Sequence, residues 1–296
     1  LTILGYASST LNSLPVYIRE LFHYLENNNK TLIQQATEQD IQDFFFHRKK
    51  RKNQRTGAGL SNSHINSGIL AYHKFIKFLS VTNQHHLEVK LQREEDKTQS
   101  RTVLTKQEIQ SLYEVTHNNT KRVHTNAYAL RDRAMLAVYY GCGLRRSEGN
   151  SLLLSDILTE KKMLYVRKGK GNKERLVPVA AQGMKDIEEY LQYGRKWFLE
   201  DHSQVKYYKN PRLKAVNDSG YFFLNVWGGP MKSFNTRIRQ LKEEAGISKP
   251  GNLHILRHSI ATHLLQSGMD IEQIKKFLGH STLESTQIYT HIVNEM

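Results

Sequence analysis

The sequence predicts a mainly α protein of the α+β class. A helical N-terminal domain is expected over residues 1–92, a linker over 93–101, and a mixed α/β domain with a small antiparallel β-sheet over 102–296. Three observations predict this. Apolar residues repeat at helical spacing through the first ninety positions. The stretch around "LQREEDKTQSR" is polar, highly charged and without period. One pair of β-rich runs interrupts a remainder that is otherwise helical. Two domains are the ordinary expectation for 296 residues.

In the N-terminal domain Ile18, Leu21, Phe22 and Leu25 share a helix face, with Pro15 expected in the first turn. Thr37 and Asp40 form a helix-start signal for "EQDIQDFFFHRKK". A Gly-containing loop then precedes a long helix with Ile65, Ile69, Tyr72, Phe75, Ile76 and Leu79 on one side. In the second domain Thr105 and Glu108 read as a capping box, and "NAYALRDRAMLAVYYG" as a helix ending at Gly141. Met163–Arg167 and Arg175–Val179 flank a Gly/Lys/Asn turn and predict a hairpin. Residues 200–220 predict a basic surface loop, a candidate contact for a partner or a neighbouring copy. Helix returns from "SFNTRIRQLKEEAG". Asp270 caps "IEQIKKFL", Gly279 stops it, and Ser281 with Glu284 opens a further helix carrying Tyr289.

Charge narrows the class of partner. Lys+Arg number 43 against 28 Asp+Glu, a net +15, which points to nucleic acid first and an anionic membrane surface second. Charge spread over the surface for solubility is the plainer alternative. The first 96 residues hold 12 Lys+Arg and 9 Asp+Glu, so most of the excess lies in the second domain. The densest run, "HRKKRKNQR", makes Arg48, Lys49, Lys50, Arg51 and Lys52 candidate phosphate contacts. A solvated helix terminus, which also favours cations, is the competing reading. No apolar run is long enough to span a membrane, and no signal peptide is recognisable. The single cysteine, Cys142, excludes an internal disulfide and argues against a cysteine-based zinc site, which fits a reducing cytosol.

Three segments of the second domain carry candidate chemistry. In "YGCGLRRSEGNSL" a Gly-rich break places Arg145 and Arg146 where a helix begins, a position suited to anions. A surface arginine pair is the bland reading. In "NLHILRHSIATHLLQSG" His254 and Arg257 are three apart and share a helix face, with His258 and His263 as competitors. In "GHSTLESTQIYTHI" His280 follows the helix stop and Tyr289 falls in the next helix, where a tyrosine is ordinarily a core residue.

Taken together, "GLRRSE", "GKGNKERLVPV", "HILRHSIATHLL" and "LGHSTLESTQIYTHI" resemble the boxes of the tyrosine recombinase (phage integrase) family, and its Xer-like members most closely. The resemblance covers roughly residues 100–292, in the family's order and spacing. It implies a helical core-binding domain followed by a mixed α/β catalytic domain. It also implies a site-specific recombinase that exchanges strands through a Holliday junction, as a homo-tetramer on two double-stranded DNA sites. In that scheme Arg145 and Arg257 clamp the scissile phosphate, His254 assists proton transfer and His280 hydrogen-bonds the phosphate. Tyr289 attacks to form a 3′-phosphotyrosyl link, and Lys170 protonates the leaving 5′-oxygen. Lys168 and Lys173 share that turn, and composition alone does not separate the three lysines. Lys168, Lys173, Arg175 and Arg146 are expected to touch DNA, and Glu148 to orient an arginine. Neither a metal nor another cofactor is expected, because the covalent link conserves the phosphodiester energy. The expected setting is the bacterial cytoplasm, at the nucleoid, with no membrane partner.

Two rivals accompany this reading: a type IB topoisomerase-like enzyme that reseals one strand, and a catalytically silent DNA-binding module. The chain starts at Leu1 and runs seven residues past Tyr289. It is therefore expected either to be a fragment or to couple its active sites through other surfaces.

Overall fold

The computed structural model describes residues 6, 8–52, 57–87, 89–95, 102–118, 123–167, 174–200, 217–280, 282–283, 285–287 and 289–290. The three turn lysines Lys168, Lys170 and Lys173, the Ser281–Glu284 box, the last part of the linker and most of the 200–220 loop lie outside the described residues. The chain divides into two compact units, Leu1–Gln99 and Ser100–Met296.

The first unit is built from α1 (Ser8–Asn27), α2 (Glu38–Lys50) and α3 (Asn62–Val81). α1 starts ahead of the expected first turn, so Pro15 lies inside it. Burial of Leu14, Leu21 and Leu25 along one face offsets the single backbone bond that the proline removes. Thr37 caps α2 as its sequence implies: its amide donates to Asp40 at 2.7 Å, and Asp40's amide donates to the Thr37 hydroxyl at 3.3 Å. Leu21, Leu25, Ile41, Phe44, Phe45, Ile65, Ile69 and Tyr72 form the core.

The basic run at the end of α2 is not uniformly a surface feature. Arg48 is 2% exposed, ion-paired to Glu20 and packed over the Tyr17 ring. Gly68 of α3 leaves room for it, since a Cβ there would stand 3.2 Å from the Arg48 guanidinium carbon. The expectation that Arg48 contacts phosphate is therefore corrected: it fixes α1 against α2 and α3. Arg51 shares Glu20, and Lys49 pairs with Glu94, while both stay exposed. Lys50 lies over the Phe46 ring, and Lys52 bridges to Gly59 through its backbone.

The second unit opens with α4 (Lys106–Asn118), where Thr105 N donates to Glu108 at 2.6 Å and Glu108 N to Thr105 Oγ1 at 3.1 Å. α5 (Val123–Leu136) continues into a wider π turn, Ala137–Gly141, and the short α6 (Arg146–Asn150) follows. A three-stranded antiparallel sheet comes next: β1 (Ile157–Leu158), β2 (Met163–Val166) and β3 (Arg175–Pro178). β2 and β3 are the expected hairpin, registered Leu164 to Val177 and Val166 to Arg175. β1, only two residues long, is too short for any alternation to reveal. Arg167, just before the turn, donates to Asp156 at 2.5 Å and to Ser155 at 2.9 Å, which fixes the turn's entry.

α7 (Ala181–Glu189) and α8 (Arg195–Leu199) are joined by a second π turn, and α9 (Phe234–Glu244), α10 (His254–Gln266) and α11 (Ile271–Leu278) complete the unit. Leu112, Leu136, Val138, Leu164, Val177, Ile187, Phe222, Phe234 and Leu256 are wholly buried, so one core joins sheet and helices. Among the described residues no helix is long and apolar enough to cross a membrane.

Gly149 sits where this core meets α6. A Cβ there would lie 2.4 Å from the Tyr139 hydroxyl, which is buried and donates to Asn150 at 3.2 Å. Gly149→Ala is expected to cost about 1–3 kcal/mol by overpacking, read as a lower urea midpoint.

Candidate active site

The site assembles around the C-terminus of α11. Gly279 ends that helix in the left-handed region at φ 66, and its amide bonds back to Lys276 at 3.1 Å. The turn leaves the carbonyls of Leu278 and Gly279 pointing outward, and both accept from arginines. Arg145 Nη2 donates to Gly279 O at 2.7 Å, and Arg257 Nη2 to Leu278 O at 2.7 Å. Arg257 Nη1 reaches Gly143 O at 2.5 Å. Gly143 is also left-handed, at φ 60, and a Cβ there would lie 2.7 Å from Leu278. The glycine break before Arg145 thus serves close packing as well as the turn.

One carboxylate organises the arginines. Glu148 is buried and accepts from Arg145 Nη1 at 2.7 Å and from Arg145's backbone amide at 2.8 Å. It takes a two-pronged bond from Arg175 at 3.0 and 2.9 Å, and Arg257 lies 3.9 Å away. Burial alone would raise the Glu148 carboxyl, but Arg175 and Arg145 overcome it and hold the group at about 2. Arg175 also donates to Phe277 O at 3.2 Å. The expectation that Arg175 contacts DNA is corrected on this geometry: its side chain is 12% exposed and ties β3 to α6 and α11 from inside. Arg146, by contrast, is exposed.

Arg257 is 4% exposed, and burial, with Arg145 adding repulsion, pulls its guanidinium down to about 9. It is still a cation at neutral pH, in a place that penalises cations. His254 keeps an accessible edge at the start of α10. Partial burial of its ring, followed by Arg257, Arg146 and Arg145, holds it below the ordinary histidine value.

Tyr289 completes the set. It is 1% exposed and packs on Ala261, Ile274 and Leu278. Its ring stacks on His280, with centroids 6.2 Å apart and planes 14° from parallel. His280 Nδ1 lies 2.8 Å from Thr286 Oγ1, which orients the imidazole. The structure therefore places Arg145 and Arg257 on the carbonyls that end α11, with Tyr289 packed on that helix and stacked on His280, and His254 beside His258 at the start of α10. His258, weighed in the sequence only as a competitor of His254, has its Nδ1 3.0 Å from the Tyr289 hydroxyl. Arg175 is the other residue whose place the sequence did not reveal. Its spacing from the glycine turn was the only signal, and that pointed outward.

Comparison with known proteins agrees with this arrangement. Residues 102–296 match the phage integrase family. Tyrosine recombinase XerC 2 of Ralstonia nicotianae is 29% identical over 99% of this chain and 79% of its own length. Tyrosine recombinase XerD of Proteus mirabilis is 43% identical over 56% of this chain, and the match spans 49% of that protein. In fold, the XerH site-specific recombinase bound to palindromic difH substrate superposes with a TM-score of 0.69 at 19% identity, over 97% of this chain and 76% of that one. A lambda integrase dimer bound to a core site gives 0.63 at 15% identity, over 96% and 89%. The similarity favours site-specific recombination over topoisomerase-like resealing. With residues 102–296 matched by the family, the chain belongs to the phage integrase family, the tyrosine recombinases.

Proposed function

We propose that the chain is a site-specific DNA recombinase that cleaves and rejoins double-stranded DNA through a 3′-phosphotyrosyl intermediate. One observation carries the reading: two guanidinium groups and a phenol from three distant segments meet at the end of α11, beside a buried carboxylate. Arg145 and Arg257 turn from the Gly279 and Leu278 carbonyls to the non-bridging oxygens of the scissile phosphate. There they stabilise the charge that grows as phosphorus becomes pentacoordinate. Tyr289 supplies the attacking oxygen, and His280 and His254 hold the phosphate and assist the proton. Lys170 protonates the leaving 5′-oxygen.

The DNA footprint adds Lys168, Lys173 and Arg146 around the site, and Lys49, Lys50, Arg51 and Lys52 in the first unit. Assembly is a homo-tetramer on two sites, in the bacterial cytoplasm. Residues 200–220 touch DNA or a neighbouring copy.

The test is covalent capture. A pool of random-sequence duplexes, with nicks that trap the intermediate, is incubated with the protein, and protein-linked strands are recovered after denaturation. Enrichment of one sequence family, followed by exchange between two labelled copies, supports the proposal. Relaxation of supercoils without exchange would favour the topoisomerase reading, and no covalent product would favour a silent binding module.

A further inference from the structure

α10 carries a histidine to which the resemblance gives no role. His258 Nδ1 lies 3.0 Å from the Tyr289 hydroxyl, with the rings 5.8 Å apart and tilted by 49°. A phenol both donates and accepts, and the contact serves proton transfer in the tautomer where Nδ1 accepts and Nε2 carries the ring proton. His254 stands one helical turn earlier, its ring 6.4 Å from that of His258. His258 is half-buried and Tyr289 is buried.

We infer that His258 is a further catalytic residue, the acceptor of the phenolic proton when Tyr289 attacks. This rests on the recombinase function proposed above. In the step, the Tyr289 O–H bond breaks and its proton passes to Nδ1. The oxygen–phosphorus bond forms, the bond from phosphorus to the 5′-oxygen breaks, and the leaving oxygen takes its proton from the general acid. In rejoining, the imidazolium returns the proton to the phenolic oxygen.

The charged and titratable groups around the pair are His254 one turn earlier on α10, Arg257 just before His258 on the same helix, and His280 on one face of the phenol, with Glu148 already shared by Arg145 and Arg175.

His258→Asn tests the inference, because the amide oxygen stands near the position of Nδ1 and accepts from the hydroxyl but cannot hold a proton. The probe is a nicked duplex of the captured sequence, and the readouts are single-turnover adduct formation against pH and DNA affinity. The wild-type rate is expected to fall as pH drops through the histidine range, where a protonated base is lost. In His258→Asn the rate is expected to fall on the order of 10²-fold, with DNA affinity kept and the acid-side decline gone. A variant as fast as wild type, or a slower one that keeps the acid-side decline, overturns the inference, since His258 would then only hold the hydroxyl. If His258→Asn binds DNA poorly, His258→Ala with added imidazole decides. A rate that rises with imidazole supports the base, and a flat response overturns it. Absence of adducts with wild type counts against the recombinase function itself, whereas adducts unaffected in His258→Asn count against His258 alone.

Discussion

Tyr289→Phe is expected to abolish covalent protein–DNA adducts while leaving DNA affinity and fold in place. The phenyl ring keeps its contacts with Ala261, Ile274 and Leu278 and its stack on His280, and only the hydroxyl is lost. That removes one hydrogen bond to His258, worth about 1 kcal/mol or less. The catalytic loss is total by comparison, because no other atom takes over the covalent link. Adducts resolved on a denaturing gel, with binding followed by fluorescence anisotropy, separate the two effects. Adducts that persist in Tyr289→Phe would sink the assignment of the nucleophile and return Tyr289 to the ordinary role of a buried core tyrosine.

What could be read beforehand was mostly local. The Thr37–Asp40 and Thr105–Glu108 boxes fold as their spacing implies, because partners three residues apart meet in any helix start. The hairpin register follows from two short runs around one turn, and the pairing of His254 with Arg257 on one face follows from helix periodicity. The misreadings lie where tertiary contact decides. Arg48 sits in a run of five cations and reads as surface, but Glu20 on α1 and the gap at Gly68 on α3 draw it inside. Arg175 reads as a turn cation reaching for DNA, but Glu148, 27 residues away, claims it. Likewise the spacing in "HILRHSIATHLL" singles out His254 as the partner of Arg257 and gives His258 no role. Only the position of Tyr289, 31 residues later, shows which imidazole meets the hydroxyl.

Glu148→Gln is expected to produce the largest loss of stability in the second unit. The carboxylate balances Arg145 and Arg175 directly and lies 3.9 Å from Arg257, all at low exposure. An amide of the same shape has one acceptor and no charge, so it leaves buried cations facing one another. Breaking a buried ion pair by removing one partner costs about 3–5 kcal/mol. The sign with pH follows from the carboxyl itself. Folding lowers it from 4.5 to about 2, so its stabilisation is complete above the unfolded value and is lost as pH falls through the folded one. That difference corresponds to roughly 3 kcal/mol, the same order as the ion-pair figure. The gap in urea midpoint between wild type and Glu148→Gln should therefore be widest at neutral pH and close steadily below about pH 4. Tryptophan fluorescence follows the right unit, since both tryptophans, Trp197 and Trp227, belong to it. Equal midpoints at neutral pH would mean that the three arginines are satisfied without Glu148. A large gap, with cleavage lost as well, would mean that the carboxylate holds the phosphate clamp in shape before DNA arrives.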